Sequence, residues 1–90
     1  MIAKTGFLLR NVAGEYLLMP VDQTAPKGKG AILLNRISAF VWEKLQSPVS
    51  REELLKALLE QFDVAEEIAD EDLTELLDRF RELELIEDSI

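Results

Sequence analysis

A chain of 90 residues, 48% hydrophobic and 31% charged, reads as one small globular domain spanning residues 1–90. At that length only about two thirds of the unfolded surface is buried on folding, which argues against a deep substrate cavity. The sequence contains no cysteine and no histidine, which removes disulfides, the common zinc sites, the Ser-His-Asp and Cys-His arrangements and the usual general base near neutral pH.

The expectation from these absences is a protein that is not an enzyme and needs no cofactor. The net charge of −8 is unevenly spread. Residues 1–49 hold six Lys/Arg against Glu15, Asp22 and Glu43, whereas residues 50–90 hold four against fifteen Asp/Glu. The acidic half would repel a phosphate backbone, so no nucleic acid is expected as partner. No signal-peptide pattern and no apolar run of about 20 residues is present, so the expected location is cytoplasmic, with no membrane contact.

In chain order, Gly6–Val12 (GFLLRNV) and Glu15–Val21 (EYLLMPV) are apolar runs joined by Ala13-Gly14, which predicts a β-hairpin. Pro20 lacks a backbone donor and is expected to end or edge the second strand. Asp22–Gly30, with Pro26, Gly28, Gly30, Lys27 and Lys29, reads as a polar, flexible connection. Ala31–Leu34 (AILL) is too short for a helix and fits a third strand.

Asn35 is a favoured N-cap and opens a first helix over Arg36–Gln46, with Ile37, Phe40, Val41 and Leu45 on one stripe and Trp42 at its border. Trp42 is read as a core anchor. Ser47-Pro48 stops that helix. Ser50 and Glu53 form a capping-box pattern opening a second helix, whose Leu54, Leu55, Leu58, Leu59 and Phe62 share a face. A third helix is predicted from about Ala65 to Glu82, with Ala69, Leu73, Leu76, Leu77 and Phe80 facing the core. Glu66, Glu67, Asp70 and Glu71 crowd its first turns, where the helix dipole favours acids. The fold class is α+β, winged helix-turn-helix-like, a three-stranded antiparallel sheet followed by three helices.

The combination GFLLRNVAGEYLLMPV, then ILLN before an amphipathic helix containing AFVWEKL, then SREELLKALLEQFDV and a last helix ending LELIED, resembles the coenzyme PQQ synthesis protein D family. The most specific part is Leu34-Asn35 followed by Ala39, Phe40 and Trp42. The resemblance implies a precursor-recognition element for ribosomally made, post-translationally modified peptides. It implies that the leader of a precursor peptide lies along the exposed edge of the third strand, in the cleft between that strand and the third helix. The bound peptide would then be delivered to a radical S-adenosylmethionine enzyme. One departure stands out: the family usually has Gly before the final Leu-Ile, where this chain has Glu84.

The residues themselves allow such a role. Strand addition requires an unpaired edge and apolar pockets, and Ala31, Ile32, Leu33 and Leu34 carry no Lys, Glu or Pro to block edge pairing. Ile32 and Leu34 share one face of the strand and Ala31 and Leu33 the other, and the sequence leaves open which pair meets a ligand. Leu8, Leu9, Leu17 and Leu18 likewise put apolar groups on both faces of the hairpin, so a second element or a partner must cover one face.

The candidate second wall consists of Leu73, Leu76, Leu77 and Phe80 on the third helix, with Asp72 flanking the stripe. Glu75 and Arg79, four residues apart, are expected to form an ordinary surface ion pair. The acidic face would suit a basic leader or a basic patch on the enzyme.

The alternative reading is a winged-helix DNA-binding or transcription-regulatory module. It requires a basic recognition helix, whereas the third helix carries eight acids from Glu66 to Glu82 against Arg79 and Arg81. Only Lys27 and Lys29 could form a basic wing. A small hydrolase or transferase is disfavoured because every carboxylate pair lies on an acid-rich helical surface. The oligomeric state is left open, as are the identities of the peptide and the enzyme and whether the pathway makes the quinone cofactor.

Overall fold

The computed structural model describes residues 1–21 and 30–88. The elements in chain order are β1 (Ile2–Ala3), β2 (Phe7–Val12), β3 (Glu15–Pro20), β4 (Ile32–Leu34), α1 (Arg36–Lys44), α2 (Arg51–Gln61), α3 (Glu66–Glu82) and β5 (Ile86–Glu87). The α+β class, the antiparallel β2-β3-β4 sheet and the three helices are those expected. The basic wing proposed at Lys27 and Lys29, and the connection around it, lie outside the described residues.

The β2–β3 hairpin closes on a two-residue loop, with Val12 opposite Glu15 and positive φ at both Ala13 (52°) and Gly14 (84°). That is the type I′ turn whose twist matches the flanking strands. Its register places Phe7, Leu9, Tyr16 and Leu18, continued by Ile32 and Leu34, on the face that packs on the core. Leu8, Leu17, Met19 and Leu33 fall on the opposite face, where Leu8, Met19 and Leu33 are exposed. The apolar excess on both faces of the hairpin therefore survives into the fold as an uncovered outer face.

Both expected helix starts form as the sequence indicates. The Asn35 side chain accepts a bond from Ser38 N–H at 2.8 Å. Ser50 Oγ accepts from Glu53 N–H at 3.1 Å while the Glu53 carboxylate accepts from Ser50 N–H at 2.9 Å. Those bonds hold the Glu53 carboxyl below its ordinary range. The first helix ends two residues earlier than expected, at Lys44, where the chain tightens into a turn: Leu45 N–H reaches the Trp42 carbonyl at 3.1 Å as well as that of Val41, and Gln46 N–H reaches the Glu43 carbonyl.

The core is tied together by aromatic edges. Trp42 on α1 meets Phe7 on β2 at 6.1 Å and Phe80 on α3 at 5.8 Å between ring centroids, both nearly perpendicular. It is the structural anchor anticipated, linking the sheet to two helices. A satellite contact pairs Phe40 with Phe62 at 5.4 Å, flanked by Lys44 and Arg36 over the respective rings. Between α2 and α3, Arg51 reaches the Asp70 carboxylate at 2.7 Å and the Thr74 hydroxyl.

Two elements have no counterpart in the sequence reading. β1 and β5 pair antiparallel, Ala3 opposite Ile86, and the Ala3 N–H also reaches Leu45 carbonyl at 2.8 Å. Each strand is two residues long, too short to show any alternation.

The end of α3 explains the departure at Glu84. Leu85 N–H donates to Phe80 carbonyl at 2.9 Å and Glu84 N–H to Arg81 carbonyl at 3.0 Å, the two bonds of a Schellman motif. Glu84 then sits at φ 59°, in the left-handed region where a side chain is strained. Glu84→Gly is expected to stabilise the protein by about 1 kcal/mol, raising the melting temperature by about 4–8 °C in a thermal denaturation followed by circular dichroism.

Candidate functional site

The α3 surface divides into two adjacent stripes. Ala69, Leu73, Leu77 and Phe80 point into the core, all at most 3% exposed. Turned about a quarter of a circle from them, Asp72, Glu75, Leu76, Arg79 and Leu83 run along a neighbouring face at helical spacing. This second face, with Phe80 at its floor, forms one wall of a groove.

The other wall is β4 and the start of α1, contributed by Ile32, Leu33, Leu34, Asn35, Ile37 and Ser38. The groove encloses about 350 Å³. Its floor is apolar, supplied by Ile32, Leu34, Ile37, Leu76, Phe80 and Leu83, and its rim is polar, supplied by Asn35, Asp72, Glu75 and Arg79. On α3 it runs from Asp72 to Leu83, about 16 Å of helix, which matches about five residues of extended chain.

The strand wall is an open edge. β4 is the terminal strand of the sheet and pairs only with β3 among the described residues. The hairpin fixes which groups are free there. In a two-residue hairpin the pair flanking the loop, Val12 and Glu15, exchanges hydrogen bonds, so along β3 the groups of Tyr16 and Leu18 point the other way, toward β4. Their partners Leu34 and Ile32 spend their backbone groups on that ladder. Leu33 therefore directs both its N–H and its C=O out of the sheet, with its side chain 61% exposed on the outer face.

Of the residues singled out in the sequence, the structure brings Ile32, Leu33, Leu34, Asp72, Leu76 and Phe80 together in the groove. Ala31 is exposed, lies just before β4 and does not line it. Leu73 and Leu77, 0% and 1% exposed, are packed in the core and do not line the groove. On the strand, Ile32 and Leu34 face the core and the groove floor, whereas Ala31 and Leu33 are exposed.

Sequence reading missed Asn35, Ile37, Ser38, Glu75, Arg79 and Leu83 as groove residues. Part of the signal was present, since Glu75, Arg79 and Leu83 continue the spacing of Asp72 and Leu76. The expected Glu75–Arg79 ion pair is also corrected. Among the described residues neither side chain forms an ion pair; the ion pairs found are Arg51 with Asp70 and Arg81 with Asp78 and Asp88. Both Glu75 and Arg79 are turned to the groove rim instead.

Among the described residues there is no group of His, Cys, Asp and Glu able to hold a metal ion, and no helix long and apolar enough to cross a membrane.

Fold and groove together define a small winged-helix-type α+β domain whose sheet, among the described residues, has an open edge beside its last helix. The chain belongs to the family described as coenzyme PQQ synthesis protein D (PqqD), which it matches over residues 15–86. No curated protein matches it. Among solved structures, one described as TbiB1 in complex with the TbiA(beta) leader peptide has the same fold, with a TM-score of 0.76. The match covers 100% of this chain and 99% of that one at 18% sequence identity.

Proposed function

We propose that this protein is a peptide chaperone that binds the leader of a ribosomally made precursor peptide as an added strand on β4. The groove between β4 and α3 receives the side chains, and the held peptide is presented to a radical S-adenosylmethionine enzyme. The chaperone itself performs no chemistry.

The observation that carries this reading is the edge of β4, unpaired among the described residues, beside a groove with an apolar floor and a polar rim. Strand addition uses backbone bonds for affinity and side-chain pockets for specificity, and a free backbone edge and a groove lie side by side here. Membership in the PqqD family and the fold shared with a protein solved with a leader peptide support the same reading. The acids along α3 disfavour the DNA-binding alternative, because a duplex phosphate backbone would meet Asp72 and Glu75 where it needs cations.

The geometry identifies the decisive substitution. Ile32→Pro would remove a ladder bond to β3 and damage the fold. Leu33→Pro removes only the outward N–H, which an edge strand tolerates. From a display library of short random peptides, the wild-type protein is expected to enrich binders whose affinity falls at least about tenfold in Leu33→Pro, a loss of about 1.4 kcal/mol. The far-ultraviolet circular dichroism of the variant should be unchanged. Equal affinity for wild type and a folded Leu33→Pro would show that the edge is not the site. Copurification of a radical S-adenosylmethionine enzyme with the peptide-loaded protein tests the second half of the proposal.

A further inference from the structure

Glu75 and Arg79 are one helical turn apart, carry opposite charges and yet form no ion pair among the described residues. Both line the groove, on the same wall as Leu76 and Phe80. Their axial separation is about 6 Å, four residues at the helical rise. An extended peptide puts successive side chains of one face about 6.6–6.8 Å apart. A strand lying along this wall therefore offers one side chain to Glu75 and the next on the same face to Arg79.

We infer that the groove reads charge order in its peptide: it selects an extended segment with a basic and an acidic residue two positions apart, the base at Glu75 and the acid at Arg79. Asp72, one turn before Glu75 on the same rim, extends the acidic end and reinforces that order. The apolar floor then takes a neighbouring side chain of the same face. This rests on the strand-addition reading above and adds which peptides the edge accepts. Net charge alone would only favour basic peptides of any arrangement, since the protein carries −8 overall. Order is the property that only a pair of fixed, opposite charges can impose.

The double variant Glu75→Arg with Arg79→Glu keeps the net charge and changes only exposed side chains, so nonspecific attraction is held constant. Selection from the same random-peptide library is run in parallel on wild type, this double variant and Leu33→Pro. Wild type is expected to enrich the base and acid in one fixed order at that spacing, and the double variant to enrich the reverse order. Each protein should bind its own consensus roughly fivefold more tightly than the other's, as two partly exposed ion pairs allow. Edge-dependent peptides with no such charge spacing, or the same order selected by both proteins, would overturn the inference and leave strand addition standing. Absence of any peptide sensitive to Leu33→Pro would overturn the strand-addition reading itself, and this inference with it.

Discussion

Replacement of Phe80 by alanine is expected to cost about 3–5 kcal/mol, among the largest losses available from a single side chain here. A domain of 90 residues has about 5–13 kcal/mol in total, so this one substitution should remove roughly a quarter of the stability or more. The expectation follows from where the ring sits. Phe80 is 1% exposed and packs edge-on against Trp42, which in turn packs edge-on against Phe7. Its carbonyl also accepts the Leu85 bond that closes α3. Truncation leaves a cavity between the sheet and two helices, and the remaining Trp42 loses one of its two aromatic partners. Chemical denaturation followed by tryptophan fluorescence measures this directly, because Trp42 is the only tryptophan. A loss below about 1.5 kcal/mol would mean that α3 collapses onto the sheet and that the groove floor is soft.

The second expectation sets two neighbouring leucines against each other. Leu77→Ala should cost about 2–5 kcal/mol of stability, since that side chain is 1% exposed in the core. Leu76→Ala should cost only about 1 kcal/mol, because its half-buried side chain borders an open groove and leaves no enclosed void. Affinity for a library-selected peptide should reverse the ranking: Leu76→Ala is expected to weaken binding about tenfold, and Leu77→Ala, measured under conditions where it is folded, to leave it within about twofold. Paired denaturation and titration curves on the two variants decide it. Equal effects on binding would place the peptide somewhere other than this groove.

These two residues also mark the boundary of what a linear reading can provide. In the sequence, Leu73, Leu76, Leu77 and Phe80 make one apolar stripe, and nothing in their spacing distinguishes a member that seals the core from one that lines a groove. The division appears only when α3 is laid beside β4, which lets the sheet cover Leu73 and Leu77 and leaves Leu76 at the margin. The same holds for Glu75 and Arg79. Local spacing predicts a pair, whereas the packed helix turns both to the rim of the groove.

What the sequence determined by itself was local and periodic: the caps at Asn35 and Ser50, the Ala13-Gly14 turn, the three helices, the short apolar strand and hence the α+β class. Each depends on residues within a few positions of one another, where backbone sterics and hydrogen bonding act directly. The tertiary structure alone decided the rest. It paired β1 with β5 across nearly the whole chain, set the β3–β4 register that leaves the groups of Leu33 outward, and chose which face of α3 closes the groove. Those features depend on which surfaces meet after collapse, and side-chain period alone carries no information about the partner across the gap.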